Sequence, residues 1–437
     1  MTSTATRLAA RRPGDRLPPL RLPTPLATDS THSITWRWVV TRSLTLMLLV
    51  GLERDVTGDV VYYGRSLAAM FDGGNIHNTL IEYPPPVLIL LLGPFLLGGL
   101  NQVAFGILFV VGMLAVDATF TAVLWRADGR RRGPAVDFWL WFVPCVGPLA
   151  YFRFDLVPAA LAGAAVLAAA RRPAWCAVLT ATGAALKLWP ALMAPIFLLR
   201  RGDRRRVVVS FAAAGAVYLF GSLAVAGFDR TLSPVRWQSA RGLQIESVPA
   251  TPLMLVRGFS PSHWNLRVSR YKAWEIFGPG VSFFTTLATV AGGLGVVTLA
   301  VLWWRADRAP LASGATLGWM LFATALVITI TNKTLSPQYI LWLGGPVAGL
   351  LCRDGADPVV RRAGALVLTT ALATQLLFPI LYHQLTHKPY MVVVATLILV
   401  VRNGLLVYLT WLACHQVWVT SRPDRSIAPG ASVRASA

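Results

Sequence analysis

The chain reads as an all-α polytopic membrane protein, and three observations predict that class. It is 55% hydrophobic and only 14% charged over 437 residues, where a soluble domain carries roughly a quarter charged residues. Its mean hydropathy is +0.58. Apolar stretches of about 15 to 27 residues recur along nearly the whole chain, and ~20 suffice to cross a bilayer as a helix.

The apolar runs lie at 34–52, 86–100, 102–125, 135–151, 155–170, 174–199, 207–227, 278–304, 310–331, 338–352, 363–382 and 390–414. The flanking tails, 1–33 with "RRPGDRLPPLRLPTP" and 419–437 with "SRPDRSIAPGASVRASA", are polar and rich in Pro and Arg. They read as disordered cytoplasmic segments around a membrane domain at 34–418. The first apolar run has no small-residue cleavage site and is expected to be a retained helix. Two cytoplasmic ends demand an even number of crossings, about 10–12 from the apolar runs. Parity fails if 86–100 and 102–125 both cross, because "RADGRRRG" would then lie outside, so one of them is expected to be re-entrant. The run 174–199 is expected to be one helix or two short helices meeting near Lys187.

The formal charge of +21 does not indicate a nucleic-acid partner. The arginines sit at the ends of apolar runs, as in "LLRRGDRRRVVV" and "LWWRADRAP", the pattern of short cytoplasmic loops. A nucleic-acid face would be a continuous basic surface. Cys145, Cys176, Cys352 and Cys414 show no paired spacing and form neither a metal site nor a disulfide framework. The opposite side of the membrane then holds 53–85, a turn at 151–155, the long segment 228–277, and short loops near 332–337 and 383–389. The long segment carries Arg230, Arg236, Arg241, Arg257, Arg267, Arg270 and Lys272 against Asp229, Glu246 and Glu275. It predicts a positive surface for an anionic lipid headgroup. No internal repeat of the kind common in transporters is evident.

Only four of the 40 basic residues are lysines, Lys187, Lys272, Lys333 and Lys388, and none lies in the arginine-rich cytoplasmic loops. Lysine is a compact point charge, so these positions are candidates for anion binding, against chance and snorkelling as the plain alternative. Lys187 is in mid-run in "ATGAALKLWPALMAPIFLL", where an unpartnered cation costs about 2.5–3.5 kcal/mol. It is expected to face a polar cavity or an anion. In "YFRFDLVPA", Arg153 and Asp155 form either a self-satisfied ion pair or an anion-binding Arg held by its carboxylate. "TNKTLSPQYILW" places Lys333, Ser336, Gln338 and Tyr339 at a helix entrance, where free N–H groups favour phosphate. In "YHQLTHKPY", His383, His387 and Lys388 are candidates to act on a leaving phosphate. The two histidines have no nearby carboxylate to complete a metal site.

The gap "RDVTGDVVYYGRSL … IEYPPP" contributes Asp55, Asp59, Glu82 and Tyr83. "DVVYYGRSLAAMF" is amphipathic and short enough to lie along a membrane surface, with Tyr62 and Tyr63 suited to the interface. Asp59 is either functional or simply a helix N-cap. No Gly-rich phosphate loop, Asp-x-Asp pair or nucleophile motif is evident. An activated substrate would therefore arrive through the membrane.

Together, "GDVVYYGRSL" with "EYPPP", "RFDLVPA", "AALKLWPALMAPIFLLRR", "GLQIESVPATPL" and "LSPQYILWL" resemble, in order, the C-type (GT-C) glycosyltransferases that use polyprenyl-phosphate sugars. The nearest likeness is to glycosyltransferase family 87, with its bacterial alpha-mannosyltransferases and arabinofuranosyltransferases. The resemblance implies a GT-C-type bundle with extracytoplasmic interfacial helices in a bacterial plasma membrane, and an active site on the extracytoplasmic side. It implies a catalytic aspartate in the first extracytoplasmic loop, at Asp59, with Asp55 the neighbour that could be confused with it. On that reading Lys187, Arg153, Lys333 and His383 bind the donor phosphate. Glu82, Tyr83, Asp155, Arg241, Gln244, Glu246, Gln338 and Tyr339 line the substrate site. The partners are a polyprenyl-phosphate sugar, a glycolipid or glycan acceptor and membrane lipids. No cofactor beyond the lipid-linked donor is expected, and with several cations facing a monophosphate the reading leans to no metal. The rival readings are a transporter or flippase for an anionic lipid-linked solute and a structural subunit of an envelope assembly.

Overall fold

A computed structural model describes residues 31–130, 132–169, 171–199, 201–308, 314–387 and 392–421. Most of both expected tails, the side chain of Asp55 and the whole of Lys388 lie outside the described residues. The chain opens with helices α1 (Thr31–Met47), α2 (Leu49–Val56) and α3 (Gly58–Phe71), then α4 (Pro86–Leu97), α5 (Gln102–Ala127) and α6 (Pro134–Val146). It continues through α7 (Leu156–Ala168), α8 (Pro173–Leu186), α9 (Ala194–Phe197), α10 (Arg204–Ala240) and α11 (Thr251–Phe259). After a hairpin of strands β1 (Asn265–Val268) and β2 (Trp274–Phe277) come α12 (Val281–Arg308) and α13 (Gly314–Thr331). The chain closes with α14 (Leu341–Asp354), α15 (Pro358–Gln375), α16 (Tyr382–Thr386) and α17 (Val392–Thr420). Among the described residues, five helices are long and apolar enough to cross a membrane, with five shorter apolar helices beside them. This is an all-α polytopic membrane protein.

Within 86–125 the short segment is α4. Its 12 residues rise about 18 Å, short of the ~30 Å hydrocarbon core. The chain turns back through Gly99 and Leu100, both at positive φ (60° and 68°). Asn101 then caps α5 by accepting from the Val103 and Ala104 N–H groups, and α4 packs back on α5. The run 174–199 is two short helices. α8 ends at Leu186, Lys187 is extended (φ −149°, ψ 125°), and a tight turn over Trp189–Met193 leads into α9. Pro190, which has no N–H to donate, follows the break.

The stretch 228–277 is a correction to the expected loop. Gly227 (φ 71°) kinks α10, yet the helix continues to Ala240. Its second leg, "FDRTLSPVRWQSA", lacks a membrane signal because side-chain contacts hold it, not apolar periodicity. α11 and the antiparallel hairpin follow, in the register Asn265↔Phe277 to Val268↔Trp274.

Helices α7 and α14 form the centre. Gly163 and Gly345 face each other so closely that a Cβ on Gly345 would lie 2.0 Å from the Ala159 carbonyl oxygen. Small residues are how helices approach closely in lipid, where no hydrophobic drive separates them from acyl chains. At the periphery, Phe220 and Val225 of α10 and Phe283, Val290 and Val297 of α12 are exposed, as a lipid-facing belt requires. The described strands are confined to the two-stranded hairpin.

A buried ion pair ties the first helix to this bundle. Arg42 on α1 donates through Nε and Nη2 to Asp117 on α5 at 2.7 and 2.8 Å. Asp117 also accepts from Trp38, Trp139 and Tyr151, while Arg42 donates to the Leu140 carbonyl. Both charges are essentially inaccessible, so each is matched by hydrogen bonds as low dielectric demands. Asp117→Ala would strand a buried guanidinium. It is expected to lower stability by about 3–5 kcal/mol, read as loss of monodisperse protein and a lowered Tm in detergent.

Candidate functional site

A cavity of about 490 Å³ is walled by segments distant in sequence. The first turn of α3 contributes Asp59 and Tyr62, and the following loop adds Glu82, Tyr83 and Pro84. The break after α8 brings in Lys187 and Trp189, and the second leg of α10 adds Pro234, Trp237, Gln238 and Arg241. The hairpin turn supplies Tyr271 and Lys272, and the approach to α14 supplies Asn332, Ser336, Gln338, Tyr339 and Trp342.

Two ion pairs organise this cavity, and they cross. Arg153 Nε lies 2.7 Å from Asp59 Oδ2, while Nη1 donates to the Val56 and Phe152 carbonyls at 3.0 and 2.9 Å. Asp155, two residues on, accepts from Lys187 Nζ at 2.9 and 3.0 Å and from Trp342 Nε1 at 2.8 Å. Arg153 and Asp155 are 6% and 1% exposed, whereas the Asp59 side chain is one-third exposed and opens on the cavity. The expectation that Arg153 and Asp155 pair with each other, or that Asp155 holds an anion-binding Arg153, is therefore corrected. Each reaches away from its neighbour and holds a charge of opposite sign at the cavity. Asp59 is not an N-cap either, since Thr57 holds that position and Asp59 lies within the first turn of α3. Its place in the first turn nonetheless suits the positive end of that helix.

Aromatic rings surround the cation. Lys187 Nζ lies 4.8 Å from the Phe154 ring centroid and 5.3 Å from that of Tyr83. Tyr339 stacks on Trp342 at 3.9 Å, and Trp342 on Trp189 at 5.3 Å. Such rings favour a cation and also present flat apolar faces of the kind sugar rings stack on. At the cavity edge, Lys272 Nζ sits 3.1 Å from the Tyr62 ring centroid, and Glu82 lines the same wall. Burial pushes the Lys272 ammonium below its ordinary range and the Tyr62 phenol above its own.

The loop bearing Glu82 and Tyr83 is held by Arg230, which is 2% exposed. Its guanidinium donates to the carbonyls of Ile76, Thr79, Leu80 and Tyr83. Arg230 is therefore a structural clamp and not part of a headgroup surface. The other cations of 228–277 are similarly divided. Arg236 pairs with Asp229 and Arg267 lies over Phe277, while Arg241 and Lys272 face the cavity.

Of the residues expected at the site, Asp59, Glu82, Tyr83, Lys187, Arg241, Gln338 and Tyr339 line the one cavity. Asp155 and Arg153 stand directly behind it. Four others are placed elsewhere. Lys333 Nζ donates to the Ser239 carbonyl, and its main chain bonds to Gln244. Gln244 is buried against Ser336 and the hairpin. Glu246 is fully buried and paired with Arg402 of α17, and the Asn403 amide donates to the carbonyls of Glu246 and Ser247. His383 stacks on His387 at 4.7 Å, away from the cavity lining. Tyr63, expected at an interface, is wholly buried among Tyr83, Phe109 and Phe154. Sequence reasoning missed Trp189, Trp237, Gln238 and Trp342 as site residues. Trp189 and Trp342 stand inside the quoted motifs "LKLWP" and "LSPQYILWL", so proximity to a motif was the available signal. Lys272 was marked only by the scarcity of lysine. Among the described residues, no group of three or more His, Cys, Asp or Glu side chains is placed to hold a metal ion.

A family model described as Glycosyltransferase family 87 matches residues 82–330, more than half of the chain. The match takes in Glu82, Arg153, Asp155, Lys187, Arg241 and Lys272 and begins after Asp59. No curated protein and no solved structure matches the chain.

The buried Glu246 carboxyl supplies a pH test of the scaffold behind the site. Burial pushes it up to about 7, against the opposing pull of Arg402. A carboxyl raised on folding contributes stability that is complete below its unfolded value of about 4.3 and is lost as the pH rises to about 7. The Tm of purified protein is expected to fall between pH 5 and 7, and Glu246→Gln to remove that component. An unchanged pH dependence in Glu246→Gln would overturn it.

Proposed function

This chain belongs to glycosyltransferase family 87, and from that premise we propose that it moves mannose or arabinofuranose from a polyprenyl-phosphate donor to a cell-envelope glycolipid or glycan by inverting displacement. The family makes it a membrane glycosyltransferase. The donor class, the residue roles and an active site on the extracytoplasmic side of a bacterial plasma membrane are our reading.

One observation carries it: the charged cavity runs into an apolar groove. The groove, about 270 Å³, is lined by Ala181, Ala184 and Ala185 of α8 and by Phe211, Tyr218 and Leu219 of α10. It shares Pro84, Leu188 and Pro234 with the cavity. Leu188 adjoins Lys187, so a chain attached to a phosphate at Lys187 leaves directly into the groove. The Tyr218 hydroxyl is paired with Thr182, and the Ser222 hydroxyl donates to the Tyr218 carbonyl. The groove thus asks for hydrocarbon.

In the proposed step the acceptor oxygen attacks the anomeric carbon as the bond from that carbon to the phosphate oxygen breaks. Asp59 takes the acceptor proton, and the polyprenyl phosphate leaves with the electron pair. Lys187, Lys272 and Arg241 face the growing phosphate charge. Glu82 and Tyr83 shape the acceptor side, while Gln338 and the stacked rings of Tyr339, Trp342 and Trp189 wall the sugar. This displacement draws on no cofactor beyond the donor.

Purified protein in lipid, given polyprenyl-phosphate mannose or arabinose and a glycolipid extract, is expected to transfer sugar. Asp59→Asn should lose about two orders of magnitude or more. Donor binding without transfer by the wild type would favour the flippase reading, and full activity in Asp59→Asn would move the base to Asp55 or Glu82. A second comparison fills the groove with Ala184→Trp. The donor KM should rise about tenfold or more for a long polyprenyl chain, because buried methylenes lose their site. A short citronellyl-phosphate donor should be nearly unaffected, and an equal effect on both would remove the groove from the reading.

A further inference from the structure

We propose that the turn Arg153–Phe154–Asp155 is a positioning template that sets the base and the phosphate-binding cation in register. The roles of Asp59 and Lys187 rest on the reading above; the template goes beyond it.

Three consecutive residues each touch a different part of the cavity wall. Arg153 is anchored at Asp59 Oδ2 and at the Val56 and Phe152 carbonyls. Val56 and Asp59 bracket the start of α3, so one guanidinium sets both the junction and the carboxylate. Phe154 is wholly buried and meets the Tyr83 ring edge-on at 4.9 Å. Asp155 holds Lys187 and, through Trp342, the stacked wall. Neither Arg153 nor Asp155 lines the cavity, so both act through other residues. Arg153 cannot both keep these anchors and reach a phosphate, and the template replaces the phosphate role expected for it.

The arrangement has a mechanistic consequence. Inverting displacement needs the base and the leaving group on opposite faces of the sugar. The two side chains assigned to those tasks come from α3 and the break after α8, which share no covalent rigidity. A short turn gripping both makes their separation a property of one rigid segment. Small displacements in such a geometry are costly, about 100-fold for ~1 Å.

Double-mutant cycles on sugar transfer in lipid test this. Arg153→Met is expected to lower kcat about 10- to 100-fold with the donor KM within about twofold, and Arg153→Lys to recover part of the loss. Added to Asp59→Asn, Arg153→Met should cost nothing further; added to Lys187→Met, it should cost its full factor. Asp155→Asn should behave in mirror image, raising the donor KM, adding nothing to Lys187→Met and its full factor to Asp59→Asn. Where Asp155→Asn does not yield folded protein, Asp155→Asn/Lys187→Met, which removes both charges, is compared with Lys187→Met alone, and equal activity supports the template. The same factor in every background would mean general structural damage and overturn it. A shift of donor KM without kcat in Arg153→Met would return that residue to direct phosphate contact and also overturn it. Wild-type transfer, and its loss in Asp59→Asn alone, report on the proposed function separately from the cycle.

Discussion

Charge pairing in a low-dielectric interior is the constraint on which the rest of this structure depends. A lone ion taken from water into such a medium costs several kcal/mol even after relaxation, so each buried charge must find an opposite charge or a set of dipoles. At the cavity this requirement is met by crossing: Arg153 goes to Asp59 and Asp155 to Lys187. The crossing draws the start of α3 and the break after α8 to one short turn before α7.

The same requirement recurs where no chemistry is assigned. Arg42 meets Asp117, Arg402 meets Glu246, and Arg230 is satisfied largely by main-chain carbonyls. Each joins segments far apart in sequence: α1 to α5, α17 to the segment before α11, and the second leg of α10 to the loop before α4. The guanidinium suits these sites because its donors lie in a rigid fork and its charge is never lost. Lys187 and Lys272, by contrast, line the cavity beside aromatic rings.

The bundle and the site are built by different means. Helices α7 and α14 approach through glycines, and their burial makes a rigid centre. The cavity is assembled at one edge from irregular pieces: a broken helix, a kinked helix, a loop and a hairpin turn. Irregular backbone at such a place leaves N–H and C=O groups that must be satisfied within the protein. Arg230 meets part of that need for the loop bearing Glu82, and the pairing of Gln244 with Lys333 and Glu275 meets it for the hairpin. A membrane glycosyltransferase of family 87 thus carries its polar cavity on a scaffold of buried fasteners.

Much of this was legible in the residues, for a definite reason. Apolar length and arginine placement report on the solvent around a helix, and both are properties of a local window. They were enough to establish a polytopic helical membrane protein and to mark 86–125 and the stretch around Lys187 as places where a simple count of crossings fails. Scarcity of lysine in an apolar chain marked Lys187, and the family resemblance marked Asp59, Glu82 and Arg241; tertiary folding brings all four to one cavity. What the sequence could not decide is which charge pairs with which. Arg153 and Asp155 are two residues apart, yet their partners are 94 positions back at Asp59 and 32 ahead at Lys187. Glu246 looked as available as Glu82 until burial paired it with Arg402. The second leg of α10 carried no membrane signal because side-chain bonds hold it, not periodicity. Pairing is a property of three-dimensional neighbours, so only the tertiary structure separates a cavity charge from a fastener.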